Sequence, residues 1–367
     1  MKFTVQRETM LKPLQVVSGV VERRQTLPIL SNILLNIDEN KTLSMIATDL
    51  EVELIAKMKL DDAEPGITTL PARKIMDICR ALPDEVQVEV AVSGEKAILR
   101  SGKSRFTLST LPANEFPEIK SINNPIKFSI SQRILKDIIG KTQFSMAQQD
   151  VRYYLNGLLL EIGGNYVRSV ATDGHRLSFC EVIADIDTKE VHQVIVPRKG
   201  VLELNRLLED VEDGAEVSIG TNHIKVQLNN ISFTSKLIDG KFPDYDRVIP
   251  KNTNKIVFAD RENLKQSLVR TSILSNEKYR GIRLQLSENQ LQAIANNPEL
   301  EEAEETIEVE YKGENLEIGF NVNYIIEALS ALDSSDVQLE FSNSEGSCLI
   351  KPKDVESCKY VIMPMRL

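Results

Sequence analysis

Ala47-Thr48-Asp49 returns 124 residues later as Ala171-Thr172-Asp173, and after the same interval the chain holds Ala295-Asn296-Asn297. The approach to each stays in step: Asn32-Ile33-Leu34-Leu35, Asn156-Gly157-Leu158-Leu159 and Arg280-Gly281-Ile282-Arg283. Further out, Lys2-Phe3-Thr4-Val5 leads to Leu11-Lys12, Lys127-Phe128-Ser129-Ile130 to Leu135-Lys136, and Lys255-Ile256-Val257-Phe258 to Leu264-Lys265. Phe116-Pro117 and Phe242-Pro243 close the first two copies. Self-similarity at a fixed period marks a chain built from copies of one unit. The expected units are residues 1–125, 126–253 and 254–367.

Within a copy, a short strand leads into an amphipathic helix, then alternating strands, a second helix and more strands. Leu50, Val52, Leu54, Ala56, Met58 and Leu60 alternate mostly with Glu and Lys, the period of a strand with one buried face. Val86, Val88, Val90 and Val92 do the same. Between these runs, Ile75, Ile78, Cys79 and Leu82 share one helical face. Their counterparts are Val201, Leu204, Leu207 and Leu208, then Ile325, Ala328, Leu329 and Leu332. The predicted class is α+β: three repeated domains, each with two helices packed on antiparallel sheet.

Hydrophobic residues are 42% and charged residues 27% of the chain, a globular balance. No apolar run approaches the ~18 residues needed to span a bilayer, and the start reads as a strand rather than a secretion signal. A cytoplasmic protein with no membrane partner is expected. Cys79, Cys180, Cys348 and Cys358 form no C-x-x-C pair. Cys79 falls on an apolar helix face as a buried thiol, and nothing suggests a disulfide framework or a zinc site.

The net charge of −10 argues against nucleic acid until it is divided. The first two copies each carry 16 basic and 17 acidic side chains, and the third carries 12 and 20, with seven glutamates between Glu299 and Glu310. Arg73 and Arg80 lie seven apart, away from the Ile75/Ile78 stripe, and Lys199 and Arg206 repeat that spacing. Arg133, Lys136 and Lys141 belong to the next copy's first helix, Arg23 and Arg24 to a loop, and Arg152 precedes a strand. These residues read either as solvated faces or as a modest footprint for phosphate, which needs positioned charge and no base readout. Aromatics at 5%, with no Trp, disfavour stacking on single strands.

Catalytic patterns are missing. Gly140-Lys141-Thr142 and Gly102-Lys103-Ser104 mimic the end of a phosphate-binding loop, but the earlier Gly that loop requires is Leu135 or Ala97. His175, His192 and His223 lack metal-ligand spacing, so neither metal nor cofactor is expected. Asp173 and His175 could form an acid–base pair. A turn is the alternative, because Asp-Gly favours one and the repeat aligns it with Asp49-Leu50.

Six stretches resemble the beta sliding clamps of bacterial DNA polymerase III: Thr26-Leu27-Pro28-Ile29-Leu30; Gln149-Asp150-Val151-Arg152-Tyr153-Tyr154-Leu155-Asn156-Gly157; Ala171 through Leu177; Val196-Pro197-Arg198-Lys199-Gly200; Phe242-Pro243-Asp244-Tyr245; and Met363-Pro364-Met365-Arg366-Leu367. The resemblance runs end to end. It implies three DNA-clamp domains, two chains closed head to tail into a ring, and helices lining a hole for duplex DNA. It implies a non-catalytic processivity factor whose partners are double-stranded DNA, a second copy, the polymerase catalytic subunit, the clamp loader and other clamp-binding proteins.

The residues it implies for DNA are Arg24, Arg73, Arg80, Gln149, Arg152 and Lys199. For a peptide-binding cleft they are Leu155, Thr172, Gly174, His175, Arg176, Leu177, Pro243, Arg247, Val248, Tyr279, Asn321, Tyr324, Val361, Met363, Pro364, Met365 and Arg366. For the dimer interface they are Lys74, Ile78, Lys103, Arg105, Phe106, Leu108, Ile273, Leu274, Glu299, Glu301, Glu302 and Glu304. Opposite charge at opposite ends of the chain favours head-to-tail pairing. The rival readings are an enzyme using Asp173 and His175, and a peptide-binding scaffold that does not encircle DNA.

Overall fold

A computed structural model describes residues 1–21, 27–117, 119, 125–184, 186, 188 and 190–366. Arg23, Arg24, Thr26 and Leu367 lie outside the described residues. The first copy runs β1 (Lys2–Gln6), α1 (Arg7–Val17), β2 (Asn32–Ile37), β3 (Thr42–Thr48), β4 (Val52–Lys59), β5 (Ala63–Glu64), β6 (Gly66–Pro71), α2 (Ala72–Ala81), β7 (Gln87–Ser93), β8 (Lys96–Ser101) and β9 (Ser104–Ser109). The second runs β10 (Ile126–Ser131), α3 (Gln132–Gly140), β11 (Gly157–Gly163), β12 (Tyr166–Thr172), β13 (Arg176–Ile183), β14 (His192–Pro197), α4 (Arg198–Leu207), β15 (Gly214–Ile219), β16 (His223–Leu228) and β17 (Ile231–Lys236). The third runs β18 (Lys255–Asp260), α5 (Arg261–Ser272), β19 (Gly281–Ser287), β20 (Gln290–Asn296), β21 (Glu302–Glu308), β22 (Leu316–Asn321), α6 (Val322–Ser330), β23 (Asp336–Phe341), β24 (Cys348–Pro352) and β25 (Cys358–Ile362).

Element order repeats, but the sheets do not stop at the copies. Strands β10-β15-β16-β17 continue into β4-β3-β2-β6, and β14-β11-β12-β13 continue into β25-β24-β23-β18. Two sheets keep to one copy, β5-β1-β7-β8-β9 at the start of the chain and β21-β20-β19-β22 near its end. The joins use one register. Val52 faces Ser235 and Arg176 faces Ile362, which are the same positions of the repeat. Accordingly the chain forms two compact units, Met1–Arg133 with Leu202–Leu237 and Ile134–Val201 with Ile238–Leu367, and the middle copy contributes strands to both.

The apolar spacing accounts for the packing. Ile75 and Cys79 are buried on α2, with Met76 beside them and Ile78 only half-buried. Val201, Leu204, Leu207 and Leu208 are buried, as are Ile325, Ala328, Leu329 and Leu332. Strand β4 buries Val52, Leu54 and Ala56. Leu50, expected in that run, instead occupies a turn with φ 75° and is 39% exposed.

A second repeated device was not legible from spacing. The arginine that opens each first helix reaches the last turn of the second helix or the segment just after it. Arg7 Nε donates to the Cys79 carbonyl at 2.7 Å, and Arg261 Nε to the Ser334 carbonyl at 2.7 Å. Arg133 pairs with Asp210 and Glu212, each at 2.8 Å. The backbone N–H groups of the same three arginines donate to Val86, Ser335 and Val211. Arg133 is therefore held by carboxylates rather than open for phosphate.

The cysteines need one correction. Cys79 and Cys348 are free and buried, but Cys180 and Cys358 form a disulfide across β13 and β25. Their separation of 178 residues leaves no local spacing to betray the pair. Among the described residues, no helix is long and apolar enough to cross a membrane.

Candidate functional site

The Thr-Asp repeat is a turn built by its own side chains. Thr172 Oγ1 accepts from the Gly174 N–H at 3.1 Å and donates to the Arg176 carbonyl at 2.5 Å. Asp173 Oδ1 accepts from the His175 and Arg176 N–H groups at 2.9 and 3.0 Å. Thr48 and Asp49 make the same bonds to Leu50, Glu51 and Val52. Asn297 makes a longer version, accepting from Glu301 N–H at 2.9 Å. The other Asp173 oxygen accepts from Arg176 Nε at 3.1 Å, so this carboxylate is committed to the turn, and His175 is exposed. Gly174 has φ 87°, and a Cβ there would lie 2.9 Å from the Arg152 guanidinium. Such a backbone favours glycine, and a Cβ would also have to push the Arg152 guanidinium aside.

Beneath the turn lies a cavity of about 220 Å³, lined by Arg152, Tyr154, Leu155, Thr172, Gly174, Arg176, Leu177, Phe242, Pro243, Tyr245, Val248, Val361 and Met363. Its floor belongs to an apolar cluster of Leu159, Leu177, Phe179, Phe242, Tyr245 and Val361. The Phe179 and Tyr245 ring centroids are 5.9 Å apart. The Tyr245 hydroxyl donates to Glu161 Oε2 at 3.0 Å. Glu161 is buried and also accepts from Gln193 at 2.6 Å, Arg168 at 2.8 Å and Tyr166 at 3.0 Å. Burial pushes this carboxyl up, but the four donors outweigh it and hold it below its ordinary value.

Charge around the cavity is largely internal. Arg176 donates to the Phe144 carbonyl at 2.7 Å, pairs with Asp173 and Glu327, and stacks 4.4 Å from the Tyr324 ring centroid. Arg152, grouped above with the DNA residues, lines the cavity and grips Asp150 at 2.8 and 3.0 Å. That bonding holds the Asp150 carboxyl at about 2.

The C-terminal residues run along the rim. Met363 N–H donates to the His175 carbonyl and Met365 N–H to the Gly319 carbonyl, both at 2.9 Å. Asn321 caps α6 through the Asn323 N–H at 3.0 Å. His175, Arg247, Tyr279, Asn321, Tyr324, Pro364, Met365 and Arg366 are not among the lining residues; Arg247 pairs with Asp244, and Tyr279 is 55% exposed. Sequence reading missed Tyr154, Phe242 and Tyr245 as lining residues, although all three lie within motifs it quoted.

Arg73 and Arg80 are exposed on α2 and flank a second cavity of about 350 Å³ with Ser18, Ser31 and Asp77. Gln149 is exposed at φ 58°, and Lys199 is half-buried. Arg206 is engaged by Glu203 and the Val16 carbonyl. Lys141 pairs with Asp137 and Asp333, which ends any likeness to a phosphate loop. On edge strand β9, Arg105 is exposed, Phe106 half-buried and Leu108 buried, while Lys74 on α2 and Lys103 before β9 are exposed. Ile273 is 72% exposed and Leu274 half-buried. Glu299, Glu301, Glu302 and Glu304 are exposed on or just before edge strand β21. Among the described residues, no group of three or more His, Cys, Asp or Glu side chains is placed to hold a metal.

Comparison with known proteins covers the whole chain. The family models for the N-terminal, central and C-terminal domains of the DNA polymerase III beta subunit match residues 1–120, 129–244 and 246–366. The beta sliding clamps of Pseudomonas aeruginosa and Escherichia coli K12 are 55% and 51% identical, with all of each chain covered. A crystal structure of a Pseudomonas aeruginosa sliding clamp bound to griselimycin superposes with a TM-score of 0.97 at 54% identity over the full length of both chains. Sliding clamps are non-catalytic accessory subunits of the replicative polymerase, which agrees with an Asp173 consumed by its own turn. With three domain models in tandem and half its residues shared with named clamps, the chain belongs to the bacterial DNA polymerase III beta subunit family, the DNA sliding clamps.

Proposed function

We propose that two copies of this chain, each with clamp domains 1–125, 126–253 and 254–367, close head to tail into a ring around duplex DNA. Two unpaired strand edges carry this reading. Inside the chain, β17 pairs with β4 and β25 with β13. The next members of that series are β9 and β21, and among the described residues each ends its sheet without a further neighbour. An exposed edge is a ready template for another chain. The hairpin pairs Ser101–Ser104 and Leu228–Ile231 align β9 with β17, and Asn296–Glu302 and Thr48–Glu53 align β21 with β4. Carrying the internal register across then sets Arg105 opposite Glu304 of a second copy, and Leu108 opposite its Glu301. A heterologous contact of this kind must close or it makes a filament.

The cavity under Thr172–Arg176 is proposed to receive short linear peptides of the polymerase catalytic subunit, the clamp loader and other DNA-processing proteins. Its aromatic and aliphatic floor, and the adaptable Met363 and Met365 on its rim, suit that use. Arg73, Arg80, Gln149 and Lys199 are the proposed DNA-facing residues, few in number. Each phosphate neutralised steepens the salt dependence by about 0.9 in log–log slope, and a clamp that slides gains from fewer such contacts.

The test is topological. The protein is loaded onto nicked circular DNA, which is then linearised. Escape from the linear ends at unchanged salt is expected. Retention on the linear product would refute the ring and leave a scaffold that binds DNA without encircling it.

A further inference from the structure

We propose that Cys180 and Cys358 are a redox modification site, a thiol pair that closes reversibly into a disulfide and staples the strand seam beneath the cavity. They face each other as the last residue pair of the β13–β25 ladder. Beside them the Glu181 N–H donates to the Ser357 carbonyl at 2.7 Å. That bond makes the cysteines a non-hydrogen-bonded pair, the type whose Cα atoms come within about 4.5 Å in any antiparallel ladder. Their Cα separation is 4.2 Å, so the backbone accommodates dithiol and disulfide alike. The same face of the seam carries Ser169, opposite Cys180 and bonded to the Ile138 carbonyl of α3. The other face carries Leu177, Phe179 and Val361, part of the apolar floor. Both sulfurs are buried, but the pair ends its ladder against the exposed turn 353–357, which gives a small reagent a way in. Where the surroundings are kept reducing, a disulfide is a transient, sensing feature rather than a permanent brace.

The chemistry balances with a peroxide as oxidant. One thiolate attacks the peroxide oxygen, becomes a sulfenic acid and releases water. The second thiolate attacks that sulfur, forms the S–S bond and expels a second water. Two S–H bonds and one O–O bond are lost, and the two electrons pass from sulfur to oxygen. A dithiol reopens the link by exchange through a mixed disulfide and leaves as its own disulfide.

The experiment counts thiols in the full chain and is independent of any peptide. The protein is treated with hydrogen peroxide or with dithiothreitol, then alkylated in denaturant and weighed. Two alkylated cysteines after peroxide and four after dithiothreitol are expected, with a digest peptide joining Cys180 to Cys358. Four alkylated cysteines in both states, or a link through Cys79 or Cys348, would overturn the proposal. Cys358→Ser should show three alkylated cysteines after dithiothreitol and no intramolecular link after peroxide, and any such link surviving in it counts against the pair. Hydrogen exchange at the Leu177 and Val361 amides should slow by about tenfold in the oxidised chain. Equal exchange in the two states would remove the staple.

Discussion

Tyr245 does two jobs with one side chain. Its ring floors the cavity against Phe179, and its hydroxyl is one of four donors to the buried Glu161. Tyr245→Phe keeps the ring and removes one donor, which should destabilise the fold by about 1–3 kcal/mol in urea denaturation at neutral pH. The pH dependence follows in sign. Glu161 is held below its ordinary value of 4.5, so its stabilisation is present above that value and is lost as pH falls through the depressed one. With one donor fewer the folded value rises, so acid unfolding followed by circular dichroism should begin at higher pH. An unmoved acid transition would mean that Arg168, Tyr166 and Gln193 alone set the carboxyl. Gly174→Ala meets both a φ of 87° and the Arg152 guanidinium. It should cost about 1–3 kcal/mol, read as a lowered melting temperature, while Gly140→Ala, where a Cβ meets nothing, serves as the neutral control. Part of the cavity lining was legible, because Leu155, Thr172, Gly174, Arg176, Leu177 and Met363 lie in contiguous motifs. Glu161 was not, since a glutamate in an apolar strand reads as solvent-facing until Arg168 faces it across the β11–β12 hairpin and Gln193 and Tyr245 are brought to it from distant segments.

The first helix of each copy is anchored by its opening arginine. Arg261 reaches the Ser334 and Leu329 carbonyls, at 2.7 and 3.3 Å, beyond the turns of its own helix. Arg261→Ala should destabilise its unit by about 1–3 kcal/mol, measured by chemical denaturation. Arg261→Lys should recover less than half of the loss, because a single ammonium cannot reproduce the fork. Full rescue by lysine would show that charge alone matters. The helices themselves were plain in the sequence, since the 3.6-residue apolar stripe survives in every copy. This anchoring was invisible because it joins positions 72 and 73 apart, and 77 apart at Arg133, which from its spacing read either as part of a solvated face or as part of a phosphate footprint. Leu50 failed differently: the alternation continued through it, but Thr48 and Asp49 bond the backbone around it into a turn, and local hydrogen bonding outweighed the pattern.

Across the whole molecule, the charge asymmetry of the chain and the end strands β9 and β21 both support the proposed head-to-tail assembly. Arg105→Glu or Glu304→Arg alone should weaken self-association several-fold in sedimentation equilibrium, about 1 kcal/mol each, and the double variant should restore it. Additive weakening in the double variant would remove the proposed register. The number of copies and their α+β make-up were readable from the returning Ala-Thr-Asp, which proves to be a turn rather than a catalytic site. How the copies join was not readable, because β4, β13 and β21 carry no mark of which hairpin will lie beside them. The middle copy lends β15–β17 to one sheet and β11–β13 to another. Cut out of the chain as residues 126–253, it would lose the strands β4 and β25 that pair with β17 and β13, and the two edges left bare would favour aggregation. What was duplicated in this chain is thus not what makes a sheet: the repeated unit runs from strand to hairpin, and each eight-stranded sheet straddles the joint between one duplicate and the next.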